Sequence, residues 1–135
     1  MNTKLLKKVK QAILGRPRQF EMEYYFGGSL YIGRKKALPS HCGTAACIAG
    51  WAAHLSFGQK TLEQSRFVAQ MDPRHMSHIG RDLLEINNEQ GDRLFHLAHW
   101  PDNFKEQYRR AKSALSRARL SARRIDHFIA TNGAE

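Results

Sequence analysis

Between Asp102 and Gly133 the chain carries neither glycine nor proline. Over that stretch Phe104, Tyr108, Ala111, Leu115, Ala118, Ala122, Ile125 and Ile129 follow one another at intervals of four and three. Such spacing returns to one side of an α-helix, so it predicts a long amphipathic helix with Gly133 as its C-cap and an interruption near Ser121. Lys105, Arg109, Lys112, Arg119 and Arg123 fall about 100° round from this seam, and Arg110, Arg117 and Arg124 about 200° round. The expected solvent side is almost uniformly cationic. The seam itself suits burial in the same chain or against a second copy, so a homo-oligomer stays open.

The opening of the chain repeats this design on a smaller scale. From Thr3 to Leu14, Leu5, Leu6, Val9, Ala12 and Ile13 recur at helical spacing with lysines opposite, until Gly15 and Pro17 stop the helix. Phe20, Met22 and Tyr24 then alternate with Glu21 and Glu23, which predicts a short β-hairpin near residues 20–32. Helical patterns return at 44–56, 61–71, 76–86 and 88–97, punctuated by Asp72-Pro73, Asn87-Asn88 and Trp100-Pro101. The expected fold is all-α: one compact domain spanning 1–135, of five or six helices, basic at both ends. A chain of 135 residues fits a single core.

Charge is the strongest bulk signal. The formal net charge is +10, and it is unevenly spread. Residues 1–20 hold six Lys and Arg; residues 105–124 hold eight, with Glu106 the only acid. The stretch between is near neutral. A solvated helix with no ligand would carry Glu-Lys pairs at i,i+4, and nearly all the compensating acids are missing from both ends, which points to a polyanion or an acidic protein surface as partner. No run is long and apolar enough for a membrane span, and the first residues lack the apolar core of a secretory signal. Two cysteines are too few for a disulfide framework. The expected location is the cytoplasm.

The most distinctive motif is HCGTAACIAGWAA, residues 41–53. On a helix, Ile48, Trp51, Ala52 and Leu55 form one apolar face, and Ala46, Ala49, Gly50 and Ala53 an adjacent face of small residues that admits a neighbouring backbone. Gly43 and Thr44 precede it as a possible anion site at the helix start, although the full phosphate-loop pattern is missing. Cys47 would fall in the first turn, where a helix dipole favours thiolate, with His54 on the same side. CGTAACIAGWA resembles the C-G-T-x-x-C-x-A-G-W-A signature of small uncharacterised bacterial and phage proteins. Phe20-x-Met22 and LEINNEQGDRLFHLAHWP (84–101) resemble features that accompany it. The resemblance implies a small helical domain in a bacterial or phage setting and carries no activity with it.

Other chemistries are weaker. His75-x-x-His78 and His96-x-x-His99 have a metal-compatible spacing but lack further ligand motifs. Residues 77–97 have a helix-turn-helix cadence, yet the would-be reading helix opens with Glu89, Gln90, Gly91 and Asp92, an acidic end facing phosphates. Trp100, Phe104 and Tyr108 offer stacking platforms for bases if exposed. The expectation is therefore a non-enzymatic binder without cofactor or metal, contacting nucleic-acid phosphates through Lys4, Lys7, Lys8, Arg109, Lys112, Arg119 and Arg123. The alternatives are an accessory or inhibitor protein acting on a host defence or other complex through the same cations, and, behind it, a thiol- or metal-dependent enzyme.

Overall fold

The structure, a computed structural model, describes residues 1–22, 47–57 and 73–134. Among these residues it is all-α, with six α-helices: α1 (Thr3–Gly15), α2 (48–57), α3 (Pro73–Leu84), α4 (Asn88–Phe95), α5 (Asp102–Arg110) and α6 (Ala114–Ala130). Pro17–Gln19 and Leu97–His99 form single 3-10 turns. Most of the hairpin expected near 20–32 and the whole helix expected at 61–71 lie outside the described residues. Among the described residues no helix is long and apolar enough to cross a membrane.

Local chemistry fixes the helix starts. Asn2 caps α1, its Oδ1 accepting from the Leu5 amide at 3.0 Å. The same residue donates from its backbone to Leu84 O at 2.7 Å, which ties the start of α1 to the end of α3. Asn87 and Gln90 form a reciprocal capping box at α4. The turn before it passes through Glu85 in the left-handed region, at φ 52°. At the other end, the Gly133 amide closes onto Phe128 O at 2.8 Å with φ +68°. A side chain there would be strained and would press on the Phe128 ring.

The long C-terminal helix is two helices. The chain breaks at 111–113, not near Ser121, because Ser113 caps a new start by accepting from the Ser116 amide at 3.1 Å. Arg117 covers the broken end, its Nε donating to Ala111 O at 3.3 Å. Much of the expected seam survives the break. Phe104 and Tyr108 are buried on α5, and Ala118, Ala122 and Ile125 on α6, where Ser121, Arg124 and Phe128 join them, while Leu115 stands 41% exposed.

One core gathers these faces: Leu6, Val9 and Ile13 of α1, Ile48 to Ala53 of α2, Leu84, Leu94, Phe95 and Trp100 join α5 and α6 in a single cluster. The apolar face expected on α2 is largely realised, except that Leu55 is 40% exposed. The face of small residues meets α3, for a methyl group placed on Gly80 would lie 2.8 Å from Ala49 Cβ and 3.0 Å from Phe95 Cζ. No side chain at position 80 fits without displacing a neighbour. Ser121 Oγ is wholly buried and has no hydrogen-bond partner among the described residues. Replacing Ser121 by alanine removes that desolvated hydroxyl, so thermal unfolding is expected to shift upward by an amount equivalent to about 1 kcal/mol. A lower midpoint would contradict this account of the α6 core.

Candidate nucleic-acid interface

Two ion pairs fix how the basic ends meet. Lys10 Nζ lies 2.7 Å from both oxygens of Asp126, and Arg117 Nη1 lies 2.9 Å from Glu21 Oε2. Rising numbers along the first segment meet falling numbers along α6, so α1 and α6 run antiparallel, side by side. Lys10 therefore marks the flank of α1 that faces α6, and Asp126 the flank of α6 that faces α1.

Helical geometry then places the remaining cations. Relative to the buried Leu6, Val9 and Ile13, the side chains of Lys4, Lys7 and Lys8 occupy the opposite arc of α1, and all three are exposed. On α6, Arg119 lies about 20° and Arg123 about 60° round from Asp126, on the outward side, and both are exposed. These five residues share the outer surface of the α1/α6 pair. At 1.5 Å per residue, Lys4 lies roughly 9 Å from Lys10 toward one end, and Arg119 roughly 10 Å from Asp126 toward the other. The cationic face is thus about 20 Å long. Arg16 and Arg18, exposed at the end of α1 and in the turn that packs on α6, extend it at the Arg119 end. In the sequence they stand out only as part of the basic total of residues 1–20.

Two of the seven expected contacts are placed differently. Arg123 reaches Gln107 of α5 at 3.5 Å, so the Gln107 flank faces α6, and Arg109, about 200° round from Gln107, points away from it. Lys112 is exposed in the link between α5 and α6, near the Arg119 end. The expectation that Arg124 faces solvent is overturned. It is fully buried, its guanidinium 5.5 Å from the Phe128 ring centre and 6.0 Å from that of Phe104, and its Nη2 donates to Arg93 O at 3.1 Å.

Acids neutralise part of the basic excess, two of them from elsewhere in the chain and two within α5. Asp126 holds Lys10, Asp102 holds Lys105 at 2.7 Å, Glu106 holds Arg110 at 3.6 Å, and Glu21 holds Arg117. The Lys105 ammonium, hydrogen-bonded to Asp102, lowers that carboxyl below its ordinary range. Among the described residues Lys4, Lys7, Lys8, Arg109, Lys112, Arg119 and Arg123 have no carboxylate partner. Asp126 is the only acid on either α1 or α6.

The Glu21 pair is a structural tie. Tyr108 donates its hydroxyl proton to Glu21 Oε1 at 2.9 Å and accepts from the Met22 amide at 3.2 Å. Burial pushes the phenol up from its ordinary pKa, so it remains a donor. Arg117, Glu21 and Tyr108 thereby bind residues 20–22 to α5 and α6.

Among the described residues the remaining sequence candidates are not assembled into a reaction centre. Gly43 and Thr44, and Cys42 with them, lie outside the described residues. Cys47 immediately precedes α2, its carbonyl accepting from Trp51, and its thiol is buried, which pushes its pKa up to about 11. At neutral pH it is a protonated core residue rather than a nucleophile. His54 stacks edge-on against Trp51 with ring centres 5.4 Å apart. His96 and His99 follow the end of α4, with ring centres 5.9 Å apart. Burial lowers the pKa of His96, which lies 3.8 Å from Asp92. Among the described residues no three His, Cys, Asp or Glu side chains are grouped as metal ligands. No family model, curated protein or solved structure matches this chain.

Proposed function

We propose that the chain is a non-enzymatic nucleic-acid-binding protein that contacts phosphates through the outer face of α1 and α6. The observation that carries the reading is the grouping of Lys4, Lys7, Lys8, Arg119 and Arg123 on the outer surface of two packed helices, exposed and without carboxylate partners among the described residues. Lys112, Arg16 and Arg18 reinforce one end. Cations held in this way attract a polyanion over the whole face and release its condensed counterions on contact. The reading goes with a cytoplasmic location and needs no cofactor.

Salt dependence tests it. With about five phosphates neutralised, the logarithm of the binding constant should fall against log salt with a slope of roughly −4 to −5. Affinity would drop about 500-fold between 50 and 200 mM. Fluorescence anisotropy with labelled DNA and RNA reads this directly. No binding at about 50 mM salt would overturn the proposal in favour of an acidic protein surface, the other partner these cations fit. An accessory or inhibitor protein docking on a host complex would then be the better description.

A further inference from the structure

We infer that the occupant of the α1/α6 face is a double helix, gripped by its phosphates with its bases unread; this rests on the nucleic-acid reading above. Three observations lead to it. First, among the described residues neither helix of the face exposes a phenylalanine, tyrosine or tryptophan for a base to stack on, and the one exposed ring, His127, already packs against Phe104. Helix α1 contains no phenylalanine, tyrosine or tryptophan, and the one on α6, Phe128, is buried. Trp100, Phe104 and Tyr108, which the sequence offered as platforms, are in the core. Single-strand binders draw about 1–3 kcal/mol per base from such stacking, and the described residues of this face supply none of it from phenylalanine, tyrosine or tryptophan.

Second, the cations are mounted on two packed helices over about 20 Å. A duplex presents one charge per roughly 1.7 Å of axis and is stiff over far more than this length. Over that length a duplex carries about a dozen phosphate charges, twice as many as one strand of it, and those that turn toward the face do so at positions that do not shift. Fixed cations suit a fixed ladder of anions.

Third, the one element with the cadence of a base-reading helix is occupied. At the start of α4, Glu89 pairs with Arg93, Gln90 donates from Nε2 to Asn132 O at 2.7 Å, and Gly91 is buried against the stem of Arg81. The C-terminal turn lies where a groove would have to approach. Arg93 adds a bond to Gly133 O at 3.2 Å. With that end covered and acidic, sequence-specific contacts are not available from it.

The test uses the full chain and five labelled probes: a 20-bp DNA duplex, one of its strands, the RNA duplex of the same sequence, one strand of that, and a second DNA duplex of unrelated sequence. At about 50 mM salt the DNA or the RNA duplex should bind at least ten-fold tighter than its own single strand, and the two DNA duplexes should agree within about three-fold. The DNA and RNA arms identify which double helix is preferred. Lys8→Gln and Arg119→Gln, both exposed, should each reduce the duplex salt slope by about 1. Equal or tighter binding of the single strand overturns the inference, as does ten-fold discrimination between the two duplex sequences, or a slope that neither substitution changes. Failure of all probes to bind would instead overturn the underlying nucleic-acid reading.

Discussion

With Lys4, Lys7 and Lys8 together replaced by glutamate, duplex affinity at about 50 mM salt is expected to fall at least 100-fold. The substitution removes three attractions and installs three repulsions on the same arc of α1, leaving Arg119 and Arg123, with the flanking Lys112, Arg16 and Arg18, to hold the phosphates. The salt slope should flatten to about −2. Stability should change little, because glutamate and lysine have similar helix propensities and an acid near the start of a helix interacts favourably with its dipole. Since α1 has no acid in its first turn, position 4 has room for that gain. Circular dichroism separates the two effects: unaltered melting with lost binding supports the assignment, and binding unchanged within about two-fold rejects it.

The second large effect is on the fold. Trp100 is nearly fully buried where the chain passes from α4 to α5. Its Nε1 donates to Leu94 O at 3.0 Å, and its ring meets Tyr108 edge-on at 5.5 Å. Trp100→Ala leaves a large cavity and an unsatisfied carbonyl together, so urea unfolding should show a loss of about 3–5 kcal/mol. Against a total of about 5–15 kcal/mol, that brings the protein close to unfolding at ambient temperature. A loss under about 1 kcal/mol would mean that the α4–α5 junction is not part of the cooperative core.

Much of this architecture is written in local patterns. The apolar repeat of α1 and its stop at Gly15 and Pro17 predict Thr3–Leu14, one residue short of the observed Thr3–Gly15. The same repeat puts Lys4, Lys7 and Lys8 on one arc without any knowledge of neighbours. The break at 111–113 is different. Nothing in Ala111-Lys112-Ser113 forbids a helix, and Ser113 becomes a cap only because folding α6 back onto the core is worth more than continuing α5 outward. A seam continued as one helix groups Arg109 with Arg119 and Arg123 and puts Arg124 in solvent. The pairing of α1 with α6 is beyond any local pattern, since Lys10 and Asp126 stand 116 residues apart. It is this pairing that turns two basic stretches into one surface.

The close approach of α2 and α3 constrains how such a sequence can drift. With Gly80 backed directly by Ala49, the two positions share one volume, and enlarging either evicts the other or the ring of Phe95. In a lineage of such chains, sites 49 and 80 would have to covary, each exchange compensated across the interface.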